Sequence, residues 1–187
     1  RGIKLQNGDE VVSMSVIHHF EASPDERAAY LKMRRAAAGV SDEPDSDEEE
    51  AGEAAITPER FEEMQAAENL ILTITEEGAG KLSSSHGYPV RGRGGQGVHA
   101  WSSKSNDTLI ASFPVQLEDQ IMLATSGGQS IRVPVKGISF RSRSAGGVRV
   151  FNTAEGEKVV SVAWIAEAPD EETEEGETET QTADDEA

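Results

Sequence analysis

Short runs of alternating apolar and polar residues recur along most of this chain. Val12, Met14 and Val16 alternate with Ser13 and Ser15, which predicts a strand over 10–17. A short strand over 2–5 precedes it, joined by a tight turn at Gln6-Asn7-Gly8-Asp9, where Asn-Gly suits the backbone of a hairpin. Further strands are predicted over 70–75, 80–83, 98–101, 108–115, 121–125, 130–135, 148–151 and 159–165, with turns at Glu76-Glu77-Gly78 and Ser126-Gly127-Gly128-Gln129. Residues 18–68 break this rhythm. Ser23-Pro24-Asp25-Glu26 is a capping box with proline at the first helical position, so a helix is expected over 27–38, ended by Gly39. Thr57-Pro58-Glu59 opens a second short helix to about residue 67. The acidic, Ser/Glu/Asp-rich stretch 41–55 between them is expected to lack fixed structure. The whole segment reads as an insertion, two helices on an acidic tether.

The strands belong to a repeat. Gly97-Val98 and Gly147-Val148 lie 50 residues apart, and each ends a basic, glycine-rich loop. The first loop region, 90–100, reads Val-Arg-Gly-Arg-Gly-Gly-Gln-Gly-Val-His-Ala; the second, 140–150, reads Phe-Arg-Ser-Arg-Ser-Ala-Gly-Gly-Val-Arg-Val. A truncated third copy, Arg1-Gly2-Ile3-Lys4-Leu5, opens the chain, and the strand signature of 8–17 returns at 156–165. Four strands per copy with a long third loop predict an all-β fold of β-pinwheel or propeller-like blades, each of four antiparallel strands, in a partial array. The expected organisation is the end of a preceding blade at 1–17, the insertion at 18–68, a blade at 69–118, the last blade at 119–166, and a disordered acidic tail at 167–187. Starting inside a repeat copy and without methionine, the chain reads as a C-terminal piece of a larger protein.

Charge sharpens this picture because it is unevenly placed. The net charge is −18, yet residues 70–166 hold 10 basic and 7 acidic side chains, while 167–187 hold 11 acidic and none basic. Positive charge concentrates in the loops, which points to a polyanion partner or to neutralisation within the chain. Arg91, Arg93, Arg141 and Arg143 occupy equivalent repeat positions. Their planar forks match phosphate oxygens, and the neighbouring glycines let a loop approach a backbone closely. Such contacts would be salt-sensitive and indifferent to base sequence. Lys81, Lys104, Arg132 and Lys136 would extend the belt; Arg132 lies opposite Ile131 and Val133 by strand alternation, hence exposed. The plainer reading is that basic loops serve solubility. Likewise the acidic segments 41–55 and 167–187 either mimic a polyanion against the loops or merely solubilise the chain.

Other chemistry is excluded or bland. The chain has no cysteine, hence no disulfide or thiolate metal site. His18, His19, His86 and His99 show no metal-ligand spacing with carboxylates. Tyr30 reads as a packing residue of the inserted helix, Tyr88 as a loop-shaping one, and Trp101 and Trp164 as packing at blade edges. The glycines of 91–97 lack the spacing and following helix of a dinucleotide site. No apolar run is long enough to span a membrane.

Several longer segments carry a family resemblance. Ile71-Leu72-Thr73-Ile74-Thr75-Glu76-Glu77-Gly78-Ala79-Gly80-Lys81, followed by Tyr88-Pro89-Val90-Arg91-Gly92-Arg93-Gly94-Gly95-Gln96-Gly97-Val98, resembles the C-terminal domain of the bacterial DNA gyrase A subunit. So do Ile121-Met122-Leu123 with Gly127-Gly128-Gln129-Ser130-Ile131-Arg132-Val133-Pro134-Val135, and Gly147-Val148-Arg149-Val150 with 155–163. The resemblance covers 1–17 and about 69–166. It implies a six-bladed β-pinwheel that bends double-stranded DNA around its rim, supporting negative supercoiling driven by ATP, with Mg2+, in the holoenzyme. No cofactor is implied for this part. The implied partners are the gyrase B subunit with a second A subunit, in a heterotetramer of two A and two B subunits. A cytoplasmic, chromosome-associated location without membrane contact is implied too. The family's catalytic tyrosine and its Gln-Arg-Arg-Gly-Gly-Lys-Gly box are absent, so the resemblance extends to the A subunit of topoisomerase IV. A reading from another class is a non-enzymatic, propeller-type protein-interaction module.

Overall fold

The structure is a computed structural model, and it describes residues 2–40 and 55–166. Both acidic segments fall largely outside these residues, and so does the expectation of their disorder.

The two helices form where the caps predict. α1 (Pro24–Ala37) starts with Ser23 accepting from the Glu26 amide while the Glu26 carboxylate takes the Ser23 amide. It stops where Gly39 adopts φ +66°, a conformation that costs glycine nothing. α2 (Pro58–Ala66) is capped from one side only, the Thr57 hydroxyl accepting from the Arg60 amide at 3.2 Å. Arg60 of α2 joins the pair, bonded to Glu26 and Glu63 at 2.9 Å each and stacked 4.9 Å from the Phe20 ring. Tyr30 and Met64 are fully buried between the helices, Tyr30 against Phe61 at 5.0 Å.

Among the described residues seven strands follow: β1 (Leu70–Thr75), β2 (Ala79–Ser84), β3 (Leu109–Val115), β4 (Gln120–Thr125), β5 (Ser130–Pro134), β6 (Val148–Arg149) and β7 (Val159–Ile165). They make two antiparallel sheets, one ordered β3-β1-β2-β6 and one ordered β5-β4-β7. The registers of β1–β2 (Leu72 opposite Leu82) and β4–β5 (Met122 opposite Arg132) are those of repeated hairpins. Leu70, Leu72, Ile74, Leu82 and Val115 from the first sheet meet Ile121, Leu123 and Val159 from the second in a shared core, closed by Val135 and Ile138. Lys158 crosses between the sheets to the Glu76 carboxylate, beside the bond from the Val159 amide to the Glu76 carbonyl.

β6 departs from simple repetition. It comes from the second repeat copy but pairs with β2 of the first, Ala79 opposite Arg149 and Gly80 opposite Val148. Glycine makes this crossing possible. A Cβ on Gly147 would lie 2.5 Å from the Gly80 oxygen and 2.7 Å from the Gly80 carbonyl carbon.

Three predicted strands are not strands here. Residues 2–5 give a single parallel bridge, Ile3 to Gly95. Residues 10–17 run without a ladder, touching β3 through the Ser13 hydroxyl, which donates to the Ser112 carbonyl at 2.7 Å. Met14 and Val16 are each 90% exposed, so the alternation is present but no described strand pairs with it in a ladder. Residues 98–101 are irregular, although Trp101 is buried. A strand requires a ladder as well as a pattern: residues 2–5 find only one bridge to the first basic loop, and 10–17 and 98–101 pair with no strand among the described residues.

Candidate nucleic-acid interface

The first basic loop leaves β2 through a short 3-10 turn at Ser85–Gly87 and runs exposed over 90–97. Tyr88 steadies its start, with its amide on the Ser85 carbonyl and its hydroxyl 3.2 Å from Ser83 Oγ. The loop is tied to the chain start by the Gly94 amide on the Gly2 carbonyl and the Lys4 amide on the Gly95 carbonyl, both at 2.8 Å. Arg91 and Arg93 both face solvent, as does Lys104 on the following turn.

The second loop follows another 3-10 turn, Val135–Gly137, on which Lys136 is exposed. Arg132 is exposed on β5 as expected, although Ile131 beside it is exposed as well, so the strand does not alternate in burial there. Arg141 is half-buried, its amide bonded to the Leu82 carbonyl. Arg143 differs from its repeat counterpart Arg93. It is 3% exposed, and its guanidinium donates to the His99 carbonyl, tying the second loop to the first.

Lys81 is the largest departure from the sequence reading. It is fully buried, and its ammonium donates to the carbonyls of Ser142 at 2.9 Å and of Arg143 and Ala145 at 2.5 Å each. The Trp101 ring lies 5.1 Å away, adding a cation–π contact. Lys81 and Arg143 therefore shape the second loop from inside. The belt read from sequence divides into an exposed set (Arg91, Arg93, Lys104, Arg132, Lys136), a half-buried Arg141 and two internal fasteners. Trp101 packs as expected, whereas Trp164 is 55% exposed and donates to the Asp119 carboxylate at 2.8 Å.

The sequence reading missed how the insertion joins this surface. His86 on the first 3-10 turn is buried, with Nε2 2.8 Å from the Met64 carbonyl and its ring edge-on to Tyr30 at 4.9 Å. α1 is thus seated on the end of the β1–β2 hairpin, and its last turn lies along the second loop. Arg34 stacks 4.6 Å from the Phe140 ring and pairs with Glu68 at 3.0 Å; Arg35 donates to Ser142 Oγ at 3.2 Å. Burial, and then the Glu68 carboxylate, push the Tyr30 hydroxyl well above the usual phenol range, so it stays protonated in this cluster. The only signal in the sequence was the Arg34-Arg35 pair ending an inserted helix. Among the described residues no group of His, Asp or Glu is arranged to hold a metal ion, and no helix is long and apolar enough to cross a membrane.

These features define a mainly β protein with repeated hairpins that displays basic, glycine-rich loops. The chain belongs to the DNA gyrase C-terminal domain, beta-propeller family, whose model matches residues 1–18, 69–116 and 119–163, over half of the sequence. The DNA gyrase A subunit of Granulibacter bethesdensis is 42% identical over 180 residues, covering 89% of this chain and 19% of that protein. Its counterpart from Rickettsia bellii is 37% identical over 187 residues, covering 98% of this chain and 20% of that protein, so that alignment runs through the insertion. The chain spans about a fifth of the length of these relatives. A solved DNA gyrase A C-terminal domain superposes with a TM-score of 0.48 at 20% identity, covering 52% of this chain and 33% of that one.

Proposed function

We propose that this chain binds double-stranded DNA through its repeated basic loops and contributes the DNA-wrapping part of a gyrase A subunit. The observation that carries the reading is the exposure of Arg91, Arg93 and Lys136 on repeat-related, glycine-bearing loops of a gyrase-family fold. Phosphate contacts of this kind are electrostatic and carry no base information, which suits a surface that bends any DNA presented to it. In this reading the described sheets are successive blades of a β-pinwheel, with strands exchanged between neighbours as β6 is. The exposed Arg and Lys track the phosphates, while Lys81 and Arg143 hold a loop in shape for them. In this reading bond breaking belongs to other parts of the enzyme. ATP and Mg2+ serve the whole enzyme, assembled from two A and two B subunits, and negative supercoiling is the activity of that assembly. The relatives' names favour gyrase over topoisomerase IV.

The test is a salt titration of duplex-DNA binding by the full chain, compared with Arg91→Ala/Arg93→Ala/Lys136→Ala. Removing each phosphate contact should flatten the slope of log K against log salt by about 0.9. Equal slopes for the two proteins would remove these loops from the DNA surface.

A further inference from the structure

The repeat does not require the helical insertion, yet the insertion is packed onto one of the two basic loops. We propose that α1 is a positioning element for the second loop, setting the shape in which that loop meets DNA; this rests on the DNA-binding reading above. Two anchors grip the loop from different sides. Lys81 holds its backbone carbonyls from within the sheet. Arg35 holds the Ser142 side chain and Arg34 covers Phe140, both from α1. Between these points the loop closes its own turn through the Ala145 amide on the Ser142 carbonyl.

α1 can serve as an anchor because it is itself fixed. Tyr30 is fully buried against His86, whose ring bonds the Met64 carbonyl of α2. A Cβ on Gly87 would touch both Leu31 of α1, at 4.0 Å, and Arg143 of the loop, at 3.5 Å, so helix, turn and loop meet at one point. The last-turn arginines also sit at the negative end of the helix dipole, where their charge is favoured. Arg34 is paired with Glu68, and Arg35 is turned onto a neutral serine hydroxyl. Both guanidiniums thus have work inside the protein. A loop held in its bound shape loses less conformational entropy on binding, so fixing it strengthens DNA binding without adding a phosphate contact.

That distinction makes the proposal testable with Arg35→Ala, Ser142→Ala and Arg35→Gln, the last keeping a donor while losing the charge. Amide exchange is measured without DNA, and duplex-DNA affinity is measured across a salt series. Arg35→Ala and Ser142→Ala should each speed exchange at the Ala145 amide by about tenfold, the mark of a locally loosened turn. They should weaken DNA binding by about three- to tenfold with the salt slope unchanged. Arg35→Gln should stay near the parent protein in both measurements. Unchanged Ala145 exchange in both alanine variants would overturn the proposal, because the loop then does not depend on α1. A slope reduced by about 0.9 in Arg35→Ala and Arg35→Gln alike would also overturn it, making Arg35 a direct phosphate contact. If the parent chain binds no DNA, the DNA-binding reading fails, and the exchange result still decides whether α1 holds the loop. Ser142→Ala leaves α1 untouched, so a folding defect in the helix variant cannot imitate the result.

Discussion

A buried lysine needs a reason, and Lys81 has three carbonyls and an aromatic face. Replacing it by methionine removes the desolvated charge but takes the ammonium donor from the Arg143 and Ala145 carbonyls of a mostly buried turn, each costing about 1–3 kcal/mol, while the Ser142 carbonyl keeps the Ala145 amide. Part of that is offset by the ammonium no longer being buried, so Lys81→Met should lower stability by about 2–4 kcal/mol. A fall in the urea midpoint at unchanged m would show it; an unmoved midpoint would mean that solvent reaches the loop carbonyls. Glu157 is a smaller fastener of the same type. It accepts from the Thr125 hydroxyl and from the Ala154 and Gly127 amides at 3.0 and 3.1 Å. The Thr125 bond first, then the Ala154 amide, hold its carboxyl below the usual range. A lowered folded-state pKa stabilises above the unfolded value and ceases to do so as pH falls through the folded one. Glu157→Gln should therefore melt below the parent at neutral pH, and the gap should close on acidification through the carboxylate range. A gap that stays constant with pH would show that the carboxylate's charge is irrelevant. None of the fasteners Lys81, Glu157 and Arg143 was legible as such. Lys81 and Arg143 stand in glycine- and serine-rich surroundings that look solvated, and their burial depends on a loop some sixty residues away or on the neighbouring copy.

At the scale of elements, local signals did well wherever the determinant was local. The N-cap and proline signals placed α1 and α2, and alternation placed β1, β2, β4, β5 and β7 within a residue or two. Alternation could not say which strand pairs with which, and so it overcounted at 10–17 and 98–101. It also could not show that β6 serves the sheet of the preceding copy. The steric mark of that exchange is Gly147, in contact with Gly80. Gly147→Ala should push β6 off β2 and cost about 1–3 kcal/mol, as overpacking does. Gly146→Ala, with nothing within 4 Å of the added methyl, is the matched control. The Val150 amide, bonded to the Gly78 carbonyl at 2.9 Å, reports the outcome: its exchange should quicken in the first variant and not in the second. Equal protection in both would mean that the crossing can widen without loss.

For the whole molecule, the sign of the charge is the puzzle, since a chain of net charge −18 is read here as a DNA binder. The resolution is segregation. Of the acidic residues, 11 lie in 167–187, where there is no basic residue at all, and the sheet-bearing stretch 70–166 keeps a small positive excess. Charges on one chain remain at high effective concentration relative to one another, so, on the DNA-binding proposal, an acidic segment should repel incoming DNA and compete for exposed Arg91, Arg93 and Lys136. Both effects act through exposed charges and fade once the Debye length shrinks below about 10 Å, near 0.1 M salt. Removing 167–187 should therefore raise DNA affinity several-fold at low ionic strength, with the curves for the two chains converging as salt increases. Parallel curves would mean that the segment acts through a specific contact rather than through its field. Identical curves would mean that it does not sense the DNA surface, leaving the basic loops to set affinity alone.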